Sequence, residues 1–422
     1  MEFAQYRPAV QAVVDELWAR PELGYQETNS NRVVRDFIAA HLTDADLTAF
    51  STTGLDLRLS RGKDRTVAIV AELDAVISPS HPDADPATGA VHACGHHTQV
   101  GIACALIAHY AATGAHADLP FDLAFVFVPA EEFVDLDARQ AMIERGTISW
   151  LGGKPEAMAL GVFDDIDFAI CLHAIGEDFT EPTIEINCDL AGFMYKDVTF
   201  HGVASHAGFD PFSGTNAYAM ATLFTTALGL SRQQLREDVF ARMNPVILAT
   251  DMTTNVVPHE VTVSTDLRST DTDYLVDMAA RIDRAAHGCA AALGGTASVR
   301  TRMGYLPFVQ DRSMNEAFRE AFEADPTITH LIADRGAIAA AGDAGDLAFM
   351  LPTAQLSYGG FTGRIHGNDF YLADPTHVLE NVPALVADAL SRLGPHLPDR
   401  PRRSFAEYEA QIDTLLGKDT TA

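Results

Sequence analysis

Four short stretches carry residues able to do chemistry. In "VHACGHH" (91–97) a cysteine stands two residues before a histidine, and a second histidine follows at once. "VPAEEF" (128–133) sets Glu131 and Glu132 side by side at the end of an apolar run. "ICLHA" (170–174) closes another apolar run on His173, and "GGFTGRIHGNDF" (359–370) places His366 in a glycine-rich loop. A haem attachment needs two cysteines before the histidine, and a zinc finger needs a second cysteine pair; the first stretch has neither. It offers a thiol and an imidazole on a glycine turn ahead of an apolar helix, whose N-terminus favours a thiolate. A metal grip and a loop packed at a helix start both satisfy that pattern; a cysteine nucleophile would need Cys94 free of metal. Adjacent acids are common in solvated loops, and a lone histidine at a strand end is more often a core residue than a ligand. Four metal-competent stations on four strand-end loops point further, because open α/β sheets build their sites at the carboxyl ends of their strands.

The elements that must position these stations alternate. Residues 8–19 and 31–41 have helical spacing of apolar positions. "TVAIVAEL" (66–73), "FDLAFVFVP" (121–129) and "DFAICLH" (167–173) read as buried strands, and 98–113 is apolar nearly all round, as a buried helix is. Such alternation predicts a mostly parallel sheet covered by helices. Near residue 184 the character changes: 183–202 alternates like one half-exposed strand. A helix over about 213–232, strands over 245–255 and 260–269, a helix over 272–293 and a strand over 297–306 follow. That β-α-β-β-α-β order predicts a ferredoxin-like sandwich. Beyond 306 the chain returns to alternation, with a strand at 353–360, a helix at 376–393 and a polar tail after 396. The expected architecture is α/β: a discontinuous catalytic domain of residues 1–184 and 303–422, interrupted by an α+β domain of residues 185–302.

Composition narrows the function class. With 422 residues, 47% of them hydrophobic and 21% charged, two cores are expected. Five scattered cysteines do not form a disulfide framework. A net charge of −29 repels phosphate backbones and anionic lipid, which argues against nucleic-acid and membrane partners. Glu2, Asp15 and Glu16 interrupt the stretch where a signal peptide needs an apolar run, and no segment has the length of a charge-free membrane span. The expectation is a cytoplasmic protein.

Taken together, the motifs resemble the M20 family of metallopeptidases and amidohydrolases, in its branch of aminoacylases, amino-acid conjugate hydrolases and aminobenzoyl-glutamate or β-alanyl-dipeptide hydrolases. The resemblance runs through "RPELGYQET" (20–28), "AELDAV" (71–76), "HACGHH" (92–97), "PAEE" (129–132), "GGKPEAMALGVFDDIDFAICLHA" (152–174), "HGVASHAGFDPFSGTNA" (201–217), "NVVPHEVTV" (255–263), "GDAGDL" (342–347) and "IHGNDF" (365–370). It implies a zinc-peptidase-like catalytic domain with an inserted lid and dimerisation domain, and a site for two divalent metal ions, zinc or manganese with cobalt possible. Cys94 would bridge the ions, Glu132 and His366 completing one and His96 and His173 the other. Glu131 would be the general base for a metal-held hydroxide, and Asp74 the carboxylate that orients a ligand histidine. From the inserted domain, His206 would stabilise the oxyanion, commonly from the partner subunit, while Asn255 and Arg268 would hold the substrate's carboxylate. Gly360 would let backbone approach the substrate. The implied reaction is amide hydrolysis of a small N-acyl amino acid or conjugate, by a homodimer joined through the lid.

Several positions depart from the family's pattern. His97 follows "CGH" where many relatives have Asp or Asn, and the further histidine three residues on is replaced by Gln99. Glu72 stands in the first place of a D-x-D pattern, His259 occupies a position that is often acidic, and the 77–90 segment is long. His97 stays outside the expected ligand set, as an outer partner or a lid contact, and 77–90 is expected to reshape the pocket rim. A dipeptidase or carboxypeptidase with the same site is the alternative activity. A non-catalytic metal- and ligand-binding relative is a further one, which the intact base beside five ligands argues against.

Overall fold

The computed structural model describes residues 3–248 and 253–417. They form two compact units. The first runs up to Cys188 and resumes over Gln310–Gly336 and Asp346–Phe405. The second holds Asp189–Val309, and also gathers Ala337–Gly345 and the chain from Ala406 onward.

The first unit is built on an eight-stranded sheet. Its middle is parallel: Thr66–Glu72 lies between Asp122–Val128 and Phe168–Ala174, and Thr353–Tyr358 pairs parallel with Phe168–Ala174. All seven residues of Asp122–Val128 are buried, which is why the strand reads as unbroken apolar sequence rather than alternation. An antiparallel hairpin, Asp46–Phe50 with Gly54–Arg58, extends one edge, and the short strands Thr183–Glu185 and His330–Ile332 extend the other. The helix His96–Thr113 is buried from His96 through Tyr110. It has no polar face because the strands Thr66–Glu72 and Phe168–Ala174 cover one side and the helices Arg7–Ala19, Thr28–His41 and Val382–Arg392 the other. At about 1.5–3 kcal/mol for each large aliphatic side chain fully buried, a helix lined by Val100, Ile102, Leu106 and Ile107 fixes its own depth firmly.

The second unit is an antiparallel four-stranded sheet with Gly192–His201 paired to both Glu260–Ser269 and Thr296–Met303, and Ala241–Ile247 on the outer edge. The helices Ala217–Ser231 and Thr272–Ala292 pack on it, giving the ferredoxin-like order. Lys196 ties sheet to helix through both carboxylate oxygens of Asp283, at 2.8 and 2.9 Å.

The expected single strand over 183–202 is a correction. It divides into Thr183–Glu185, which joins the sheet of the first unit, and Asp189–Leu190 and Gly192–His201, which belong to the second. Alternation alone cannot see a chain leaving one sheet for another; Asn187, with φ of 60°, lies between the pieces. Part of the strand expected over 245–255 lies outside the described residues. No helix among the described residues is long and apolar enough to cross a membrane.

Candidate metal centre

Among the described residues, three overlapping groups of possible metal donors lie in the first unit: Cys94 with His96 and His173, Cys94 with Glu132 and His366, and Glu72 with His96 and Glu131. Within each group the donor atoms lie within 4.8 Å of one another. Cys94 is shared by the first two groups and His96 by the first and third.

Each donor but His366, which lies in the loop between Phe361–Thr362 and Tyr371–Leu372, arrives from a strand end or helix start. Cys94 and His96 flank Gly95, whose φ of 91° starts the buried helix, and a Cβ there would stand 2.6 Å from the Ala174 side chain. Only glycine allows both the turn and the approach to the strand that carries His173. Glu131 and Glu132 follow Ala130, a non-glycine residue at φ 55°, a conformation that costs on the order of 1–3 kcal/mol. Its surroundings hold it there. The Ala130 N–H donates to Glu27 at 2.8 Å, and its carbonyl accepts from Gly153 at 3.1 Å and from Arg139 at 3.3 Å. His366, at φ 62°, donates its backbone N–H to Ala93 at 2.8 Å, which ties its loop to the residue before Cys94.

The histidines are oriented for ligation. His96 Nδ1 lies 3.0 Å from the Asp74 carbonyl and 3.3 Å from its carboxylate, and His173 Nδ1 lies 2.8 Å from the Ala174 carbonyl. Both Nδ1 atoms therefore carry hydrogen and both Nε2 lone pairs face the cluster. Asp74, fully buried, also accepts the Glu132 N–H at 2.9 Å and so bears on two donors at once. Cys94 Sγ stands 3.7 Å from His173 Nε2, and Glu132 Oε1 stands 3.0 Å from His366 Nε2.

The charges fit a cation site. Burial pushes the Cys94 thiol up, yet His96 and His173 together hold it well below its ordinary value. Burial depresses His96, but Cys94 and Glu72 raise it well above the usual imidazole range. Burial, with the Cys94 charge, pushes Glu132 up to about 7, and its partner His366, opposed by burial, rises to about 11 through Cys94 and Glu132. Burying a thiolate and several carboxylates is costly unless positive charge accompanies them. In this protein that charge is borne by imidazolium protons or by divalent ions on the same atoms, and a set of one thiolate, three imidazoles and carboxylates fits divalent transition-metal ions.

The remaining residues singled out in the sequence divide between the units. His206 and Asn255 come together on a small ribbon of the second unit, Ser205–His206 against Val256–Val257, with the Ala207 N–H donating to the Asn255 carbonyl at 2.9 Å. Both residues are exposed. Arg268 is half-buried over the Phe193 ring, with Nε on Asp266 at 2.9 Å and Nη1 on the Ala339 carbonyl at 2.8 Å. Gly360, at φ 105°, accepts from both Ala373 and Asp374, and a Cβ there would meet Val378 at 2.7 Å. His97 is fully buried between Trp18 and His92, at ring separations of 5.1 and 5.2 Å, so it packs inside the first unit, outside the donor groups. The 77–90 segment buttresses the His366 loop: Ser78 Oγ donates to the His366 carbonyl at 3.2 Å, and His81 Nε2 meets the Phe370 carbonyl at 3.3 Å.

The sequence reading missed four residues of the site's frame. Glu72 belongs to a donor group. Lys154, wholly buried, donates to it at 2.6 Å. Glu27 and Arg139 clamp Ala130. One signal was available: Glu72 and Gln99, two separate departures from the family's pattern, are a single pair joined by hydrogen bonds of 2.8 and 3.1 Å.

A helix-covered, mostly parallel sheet with overlapping thiolate, imidazole and carboxylate donors, in one chain with a ferredoxin-like sandwich, defines a two-unit protein of the metallopeptidase kind. The chain belongs to the peptidase family M20/M25/M40, whose pattern matches residues 68–392. It is 25% identical to the mouse Xaa-Arg dipeptidase over 319 residues, 72% of this chain and 65% of that protein. It is 26% identical to the indole-3-acetyl-aspartic acid hydrolase of Enterobacter agglomerans over 318 residues, 74% of this chain and 66% of that one. The chain thus spans just under two thirds of the length of each. Its fold is shared with a Bacillus subtilis dinuclear metal-binding peptidase of the M20 family, at a TM-score of 0.71 and 18% identity over 92% of this chain and 98% of that one.

Proposed function

We propose that this protein is a metal-dependent amidohydrolase that cleaves the amide bond of an N-acyl amino acid or related conjugate with a free carboxylate. The observation that carries the reading is the sharing of Cys94 between two donor groups, one adding two histidines and the other a glutamate and a histidine, with Glu131 buried beside them. Cys94, Glu132 and His366 would hold one divalent ion, and Cys94, His96 and His173 a second, zinc or manganese with cobalt able to substitute. When bound, such ions supply Lewis acidity, lowering the pKa of water and polarising a carbonyl oxygen. Glu131 takes the proton of the attacking water and returns it to the leaving amine. Asp74 fixes the His96 tautomer, and the cradle around Ala130 fixes the direction of Glu131.

The second unit acts as lid. His206 donates to the developing oxyanion, Arg268 and Asn255 hold the substrate carboxylate, and Gly360 brings backbone to the substrate. The exposed Phe209, Phe212 and Leu230 and the edge of Ala241–Ile247 that is open among the described residues support a homodimer through this unit; a net charge of −29 and cysteines that form no disulfide framework support work in the cytoplasm. The dipeptidase relative supports a second reading, in which the acyl group is itself an amino acid.

The test is amine release from a panel of N-acyl amino acids and dipeptides, after separate reconstitution with zinc and with manganese. Turnover that needs metal and is absent in Glu131→Gln supports the reading; no turnover on any substrate, with two ions bound, supports a binding protein instead.

A further inference from the structure

Glu72, a carboxylate of the donor groups, is held by a buried cation. Its Oε1 accepts from Lys154 Nζ at 2.6 Å and its Oε2 from Gln99 Nε2 at 2.8 Å, while its own N–H donates to Gln99 at 3.1 Å. Lys154 and Gln99 are fully buried, and Glu72 is 6% exposed. Taking a carboxylate and an ammonium out of water costs several kcal/mol for each ion, so a simple core position would be served better by apolar residues.

His96 gives the pair its direction. Its Nδ1 is committed to Asp74, and its Nε2, fully buried, makes no hydrogen bond. Yet Nε2 stands 3.1 Å from Glu72 Oε2 and 3.7 Å from Glu131 Oε2. A lone pair that close to two carboxylates repels them unless a proton or a metal ion lies between, and the two can take the same place. Two ligands about 2.0–2.2 Å from one ion at a tetrahedral angle are roughly 3.3 Å apart, close to the spacing of Nε2 and Glu72.

We propose that Glu72 is a further metal ligand, giving Oε2 to the ion held by His96 and His173, with Lys154 and Gln99 as positioning residues that aim it. The inference rests on the metal-centre reading above. Lys154 Nζ on Oε1 holds one end of the Glu72 carboxylate and leaves Oε2 turned toward His96. Lys154 also balances charge. Without it the pocket would gather Cys94, Glu72, Asp74, Glu131 and Glu132 around the ions, five negative charges that the four positive charges of two divalent ions do not fully balance. Gln99 cannot compete for the metal as a third imidazole would, which leaves Glu72 that coordination position.

Cobalt(II) titration of the metal-stripped full-length protein tests this, with a competing chelator for affinity and visible absorption for coordination number. In Glu72→Gln, which keeps the side chain's size, one of two cobalt equivalents should weaken roughly 10–100-fold. The cobalt bands should also intensify as the coordination number falls. The double variant Glu72→Gln/Lys154→Met removes both charges of the pair, so it folds without a stranded cation, and it should weaken to the same extent. Wild-type affinity and spectrum in the folded double variant would overturn the proposal and leave Glu72 as Lys154's structural partner. His173→Ala and Glu132→Gln are run alongside. If those two bind cobalt like the wild type, the metal centre itself is wrong and the Glu72 inference falls with it.

Discussion

The two units carry their candidate functional groups in opposite ways. In the first, Cys94, His96, Glu131 and Glu132 are all nearly or wholly buried, and each is fixed by a strand end, a helix start or a strained turn. In the second, His206 and Asn255 are exposed on a two-stranded ribbon, and Arg268 is half-buried with its guanidinium engaged on Asp266 and Ala339. Groups that bear charge on metal must be preorganised, because a loose ligand loses affinity with every ångström. Groups that meet substrate from a lid have to wait in solvent until it arrives. On the proposed reading the first unit governs metal content and proton transfer, and the second governs KM and substrate choice through Arg268 and Asn255 while adding to kcat through His206.

The sharpest way to break that division is at Cys94 and Glu131. Cys94→Ala removes the donor common to two groups and should abolish stoichiometric metal binding, read by elemental analysis after dialysis. Glu131→Gln should keep its metal and lose about 10²–10⁴-fold in kcat, read by amine release. Loss of metal in Glu131→Gln would mean that Glu131 is a ligand rather than a base. Arg268→Ala comes next: a fork that holds a carboxylate is worth about 1.5–3 kcal/mol, so KM should rise roughly 10–100-fold with kcat little changed. A fall in kcat with KM constant would give the arginine a role in the transition state and blur the contrast between units. His206 can be tested by co-refolding His206→Ala with Glu131→Gln. If the partner subunit supplies this histidine, two inactive variants together regain activity; if each chain serves itself, they stay inactive.

A smaller effect tests the frame of the first unit through pH. Burial, with the neighbouring Asp74, raises Glu27 from its ordinary 4.5 to about 8. The folded state then binds this proton more tightly than the unfolded one, so the stabilisation is fully present below pH 4.5 and is lost as pH rises towards 8. Thermal unfolding should show the wild type losing Tm relative to Glu27→Gln between pH 5 and 9. A constant difference would mean that Glu27 does not titrate in that window. The smallest expected change is Ser78→Ala, which removes one hydrogen bond behind His366, worth about 0.5–1.5 kcal/mol, and should loosen only the ion held with Glu132.

The legibility of each region in the sequence follows its burial. Strands such as Asp122–Val128 announce themselves because covering both faces demands an unbroken apolar run, and the four stations were visible because each sets a donor where such a run ends or a glycine turn begins. The ferredoxin-like unit was readable from the order of its elements. The junction at Asn187 was not, since alternation is the same on either side of a change of sheet.

By itself, then, the sequence determined the residue types of the donors, their place at strand ends and the two-unit order, because periodicity and turn residues act over a few neighbouring positions. Only the tertiary structure decided which donors share an ion-sized space, that Glu72 and Gln99 form one pair with Lys154, and that Glu27 and Arg139 hold Ala130 in its unusual conformation. Those contacts join residues from 9 to 103 positions apart, and the burial that gives them their strength exists only once the sheet has closed around them.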